Sequence, residues 1–123
     1  MPGEDGVDED DDAAGAAWAR ALRDANAGRP LRFAVCYSAF WAPVEALAWC
    51  YRPAIATPTL HVLGSLDTVV DEARSRALVD RCLDPVVVVH PGGHHVPVAR
   101  EWALPLAGFI REHARDPPTK PGL

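Results

Sequence analysis

The sequence predicts an α/β protein with a sheet of about three parallel strands and flanking helices. Three observations point there. Apolar runs at 31–38, 59–64 and 86–90, rich in β-branched residues, read as strands. Segments of helical character follow the second and third of them, at 71–82 and 99–113, as right-handed crossovers between parallel strands require. The loops just past those two strands carry Asp67 and His94, at the sheet edge where open α/β folds place their sites.

At 123 residues the chain is one domain at most, long enough to bury roughly two thirds of its unfolded surface. Residues 1–12 hold a carboxylate run and read as a solvated, disordered tail. The folded part is expected over 13–114, with a second, proline-rich tail at 115–123. An alanine-rich stretch, 13–27, sets Trp18 and Leu22 four residues apart and predicts a helix that Gly28 stops and Pro30 cannot extend. The strand at 31–38 follows, apolar and at a sheet edge, so it invites pairing with another chain or a second copy and looks like part of a larger sheet.

Residues 39–58 are mainly a connection, broken by Pro43, Pro53 and Pro58, with room for a short helix around 44–50. Its aromatics Phe40, Trp41, Trp49 and Tyr51 either pack or wall an acyl pocket. His61 sits inside the second strand as a core histidine, and Asp71 is suited to cap the helix after it. The run Pro85-Val86-Val87-Val88-Val89 predicts a strand covered on both faces, and Gly92-Gly93 a tight turn at positive φ. The last helix places Trp102, Leu106, Phe109, Ile110 and His113 on one face. Pro105 either moves its start to Ala103 or kinks it.

A net charge of −5 argues against a nucleic-acid partner, because phosphate contacts need clustered Lys and Arg. No run approaches the length of a membrane span, and the acidic N-terminus is unlike a signal peptide, so a soluble, cytoplasmic protein without a membrane partner is expected. Cys36, Cys50 and Cys82 are odd in number and widely spaced, as free thiols in a reducing compartment would be. No cofactor or metal is expected. His90, His94 and His95 are imidazoles, but the glycine turn between them and the want of a further ligand count against zinc.

The chemistry lies in two loops, Gly64-Ser65-Leu66-Asp67-Thr68-Val69-Val70 and His90-Pro91-Gly92-Gly93-His94-His95-Val96-Pro97. Adjacent parallel strands end on the same side, so Asp67 and His94 are expected within hydrogen-bonding distance. A carboxylate on one imidazole nitrogen fixes the tautomer and leaves the other nitrogen as a general base. Acid before histidine, after successive strands, is the order of α/β-hydrolases. The alternatives are a turn carboxylate that bonds only its own backbone and a loop histidine without function.

These motifs, together with Phe33-Ala34-Val35 running to Ser38-Ala39-Phe40, Thr57-Pro58-Thr59-Leu60-His61-Val62-Leu63-Gly64 and Ser75-Arg76-Ala77-Leu78, resemble the C-terminal portion of the FSH-type serine hydrolases. That family is similar to the ovarian-cancer-gene-2 hydrolases. The resemblance covers about two thirds of the chain. It implies a partial α/β-hydrolase fold, with Asp67 as triad acid and His94 as triad base. It also implies hydrolysis of a small-molecule or carrier-bound acyl ester or thioester; some fungal relatives release acyl chains from polyketide synthases.

The family's nucleophile lies in a Gly-x-Ser-x-Gly turn, and none of Ser38, Ser65 and Ser75 is flanked that way. On the resemblance, Ser38 ends the strand after the one that carries the nucleophile, and the oxyanion loop is also upstream. Loss of the nucleophile costs a serine triad a factor of roughly 10⁶. The chain alone is therefore expected to be a poor enzyme, with a non-catalytic interaction module or a truncated, inactive product as the rival readings.

Overall fold

The computed structural model describes residues 9–115, with side chains from 17 onward; residues 1–8 and 116–123, most of the two expected tails, lie outside the described residues. The architecture is the expected α/β one. Helix α1 (Glu9–Ala25) leads to strand β1 (Ala34–Tyr37), and a 3-10 helix (Glu45–Tyr51) interrupts the connection to strand β2 (Thr59–Gly64). Helix α2 (Glu72–Val79), strand β3 (Pro85–His90) and helix α3 (Arg100–Ala114) complete the chain. The strands form one parallel sheet in the order β1-β2-β3, with Ala34 opposite Thr59 and Thr59 opposite Pro85.

Helix α1 starts four residues before the expected Ala13. It closes as the sequence requires, with Ala27 and Gly28 at φ 55° and 73° and the Gly28 N–H donating to Arg23 O.

Strand β2 is the centre, buried at every residue. Side chains alternate across a strand, so its two faces meet different partners. Leu60 and Val62 pack with Phe109 of α3, joined by Phe33, Val35, Tyr37, Val88 and Leu106. His61 faces the other way, towards Cys82 just past α2, with its Nε2 3.7 Å from the thiol and 2.9 Å from Thr59 Oγ1. The core histidine is thus satisfied by its own strand.

Four expectations give way. Strand β1 is shorter than 31–38: Phe33 leaves the ladder to pack edge-on against Phe109, 5.8 Å between ring centres, and Ser38 turns out of it at φ 49°. Strand β3 is not covered on both faces, since Val86 and Val89 are 44% and 37% exposed. Among the described residues it ends the sheet, with no strand on its outer side. Helix α3 begins at Arg100 and runs through Pro105. Ile110 is 38% exposed while Phe109 is 6% exposed, because a three-stranded sheet covers only the 102-106-109-113 stripe. Helix α2 stops at Val79, short of Cys82, although Asp71 caps it as expected by accepting from the Arg74 N–H at 2.9 Å.

Candidate active site

Strands β2 and β3 emerge side by side at one edge of the sheet, and their ladder continues into the loops beyond. The Ser65 N–H donates to His90 O at 2.9 Å and the Leu66 N–H to Gly92 O at 3.0 Å. Gly64 makes this approach feasible: a Cβ there would lie 2.6 Å from Gly92 O and would also strike Gly93 O. Gly92 is tight within its own loop, since a Cβ on it would strike the His95 side chain and lie 3.0 Å from His90 Nδ1. Neither Gly92 nor Gly93 adopts the expected positive φ; Gly28 is the one glycine that does among the described residues. Gly64 and Gly92 are needed for close packing, between the loops and within one of them, and not for a left-handed turn.

Asp67 is the hinge of the site. Its Oδ1 accepts from the Val69 and Val70 N–H groups, both at 2.8 Å, so it does bond its own backbone. Its Oδ2 remains for His94, whose Nδ1 lies 2.9 Å away. The structure therefore brings the two predicted residues together, and the turn role and the histidine contact coexist on different oxygens. The Asp67 side chain is 2% exposed and that of His94 41% exposed. Burial alone would raise the Asp67 carboxyl, but hydrogen bonds from Val70, His94 and Val69, with the nearby Ser38 hydroxyl adding to them, overcome it and hold the group at about 2. An ionised carboxylate only accepts, so the shared proton belongs to His94 Nδ1, and Nε2 keeps its lone pair. Beside it lies a hollow of about 220 Å³ lined by Tyr37, Ser38, His94, His95 and Val96. An oriented imidazole with a free basic nitrogen at such a hollow can act as a general base.

The remaining candidates lie elsewhere. His95 packs against His90, 4.9 Å between ring centres, and His90 against Trp102 at 6.0 Å. No three His, Cys, Asp or Glu side chains among the described residues are gathered to hold a metal ion. Trp41 and Tyr51 line a separate hollow of about 330 Å³, where the Arg81 guanidinium stacks on Trp41 at 3.5 Å. Phe40 lies under Arg74, and none of the aromatics at 40, 41, 49 and 51 lines the hollow at His94. Ser65 is exposed in the acid loop and Ser75 is buried in α2. Ser38 stands at the hollow instead, a placement whose only sequence signal was its position at a strand end.

Three groups make the fold sensitive to acid. Burial lowers the pKa of His61, and burial with the neighbouring His95 charge lowers that of His90 against an opposing pull from Asp67. The unfolded chain therefore takes up protons first as pH falls below 6.5. Asp67 repeats the effect lower down, between its ordinary 3.8 and about 2. Stability is expected to be complete above pH 6.5 and to fall in two steps, the second below pH 3.8. Urea denaturation across pH checks this; a midpoint constant from pH 7 to 5 would contradict the histidine step.

Comparison with known proteins accords with this geometry. The family model described as "Serine hydrolase (FSH1)" matches residues 13–106. The chain is 41% identical over 81 residues to the zebrafish (Danio rerio) protein "Esterase OVCA2", covering 65% of this chain and 36% of that protein. It is 34% identical over 83 residues to "Family of serine hydrolases 3" of Saccharomyces cerevisiae, covering 66% of this chain and 31% of that one. A Schizosaccharomyces pombe protein named "Dihydrofolate reductase" is 36% identical over 91 residues, 74% of this chain but only 20% of its own length. The chain thus spans about a fifth to a third of these relatives. No solved structure matches it. With a family match across most of its length, and an acid and a histidine joined at the ends of successive parallel strands, the chain belongs to the FSH1 serine hydrolase family.

Proposed function

We propose that Asp67 and His94 are the acid and base of a Ser-His-Asp triad that hydrolyses carboxylic esters or thioesters. The 2.9 Å bond from His94 Nδ1–H to the buried Asp67 carboxylate carries this reading. In it, His94 Nε2 takes the proton of an attacking serine hydroxyl as the new C–O bond forms, then returns it to the leaving alcohol or thiol. Asp67 holds the ring and stabilises the imidazolium between those steps. Names of relatives such as "Esterase OVCA2" support an acyl substrate. We take that substrate to be a small or carrier-bound acyl ester or thioester, the class that includes acyl release in fungal secondary metabolism. Three free cysteines fit a reducing compartment such as the cytoplasm, and no helix among the described residues is long and apolar enough to cross a membrane.

No Gly-x-Ser-x-Gly turn occurs in the 123 residues, so the reading requires the serine and the oxyanion donors from an upstream segment. Alone, the Asp67–His94 pair would activate water weakly at best. A fluorophosphonate probe tests this. The chain alone is expected to stay unlabelled. Mixed with the serine-bearing segment of a family member, it is expected to support labelling of that serine, and His94→Ala to abolish it. Labelling that persists undiminished in His94→Ala would overturn the proposal.

One observation favours a second reading, an interaction module. Among the described residues strand β1 pairs with β2 on one side only, which leaves its other edge open to a partner strand or a second copy. Size-exclusion chromatography that finds a stable dimer, together with no labelling under any condition, would favour it.

A further inference from the structure

We propose that Ser38 is a positioning residue for the acid–base pair, its hydroxyl donating the fourth hydrogen bond to the Asp67 carboxylate. The inference rests on the triad reading for its functional meaning but on local geometry for its substance.

A carboxylate offers about four lone-pair sites. Asp67 Oδ1 fills two with the Val69 and Val70 amides, and Oδ2 fills one with His94. One site on Oδ2 remains, in a side chain that is 2% exposed and so closed to bulk water. Ser38 supplies the matching need. It is 6% exposed, and its Oγ is buried without a hydrogen-bond partner. A buried hydroxyl without a partner is costly, and few native positions tolerate one. The hydroxyl nevertheless lies close enough to contribute to the lowered pKa of Asp67.

The backbone places it there. The Ser38 N–H donates to Val62 O at 2.9 Å, continuing the β1–β2 ladder by one bond. The residue itself then turns to φ 49°, a conformation that a non-glycine residue seldom adopts. It lines the hollow beside His94, together with Tyr37, His95 and Val96. Its buried Oγ is shielded from substrate, which separates this role from that of a nucleophile. By occupying the last site on Oδ2, the hydroxyl fixes the plane of the carboxylate and with it the direction from which His94 is held.

The test is a carbon-detected NMR titration of the Asp67 carboxyl in the whole chain, for Ser38→Ala and Ser38→Gly. Both remove the hydroxyl. Glycine also relieves the left-handed backbone, so Ser38→Gly retains the fold and decides the question should Ser38→Ala fail to fold. In both, the midpoint is expected to rise from about 2 towards the ordinary 3.8, with a broadened His94 Nδ1–H signal. An unchanged midpoint in either folded variant overturns the proposal. The measurement involves no hydrolysis: its failure leaves the triad reading standing, and an inactive hydrolase leaves the Ser38 result standing.

Discussion

Asp67→Asn is expected to lower hydrolysis about 10⁴-fold in the assembled hydrolase, while leaving the fold in place. The backbone decides how the asparagine must sit. Two amides, those of Val69 and Val70, point at the Oδ1 position at 2.8 Å each, and only an oxygen can accept from them. The new NH₂ group is therefore turned to the Oδ2 position, facing His94 Nδ1 2.9 Å away. It donates, so Nδ1 must become the acceptor and the ring proton moves to Nε2. A histidine protonated at Nε2 cannot take a proton from serine. The geometry survives while the base is lost.

This outcome can be read without any activity. Nitrogen NMR of His94 in the chain alone is expected to report the Nδ1–H tautomer in the native protein and the Nε2–H tautomer in Asp67→Asn. A ring that keeps its Nδ1 proton in the variant would sink the mechanism of the loss, whatever the rate. Asp67→Ala removes the acceptor altogether and frees the ring without enforcing the wrong tautomer, so it is expected to be the milder change in the tautomer ratio and the harsher one for the loop, whose two amides lose their partner.

The pair's juxtaposition was legible in the sequence because it needs only local facts. Two parallel strands of known direction, each followed by a short loop, bring their loops to one edge whatever the rest of the fold does. The bounds of β2 were equally legible, since a run from Thr59 to Gly64 between Pro58 and an acidic loop leaves little choice. What was not legible depends on the neighbours. Val87 and Val89 are chemically alike, and the unbroken valine run cannot say that β3 ends the sheet. Ile110 fits the apolar stripe of α3 by periodicity, yet the width of the sheet beneath sets how much of that stripe is covered.

The glycines illustrate a different limit. Gly64 announces unusual backbone freedom, but the requirement it meets is spatial: the Gly92 and Gly93 carbonyl oxygens lie under 3 Å from where a Cβ would stand. That contact runs between residues nearly thirty positions apart, so no local pattern carries it. Ser38 is the reverse case, a residue with ordinary side-chain chemistry whose left-handed backbone no serine advertises. The aromatics of the β1–β2 connection were compatible with an acyl wall by composition alone. Phe40 stacks on Arg74 of α2 and Trp41 on Arg81 just past that helix, and none of the four aromatics lines the hollow at His94.

Phe109→Ala is expected to cost about 3–5 kcal/mol, most of the stability that a small domain with two open sheet edges can hold. Phe109 is 6% exposed and is the one buried residue of α3, so the helix is held to Leu60 and Val62 chiefly through this ring. It also makes the edge contact with Phe33 at 5.8 Å and lies 4.2 Å from the His113 ring. Truncation removes these contacts together and leaves a cavity between helix and sheet that the backbone of a regular helix cannot close. Phe109→Leu keeps most of the volume and is expected to cost about 1–1.5 kcal/mol. Urea denaturation distinguishes the two by midpoint at unchanged slope. A loss below about 1 kcal/mol for the alanine variant would mean that α3 is held elsewhere. The consequence reaches the site, because α3 also carries Trp102 against His90, and His90 begins the loop that presents His94. Even where Phe109→Ala stays folded, the His94 Nδ1–H signal is therefore expected to broaden, and in Phe109→Leu to remain sharp.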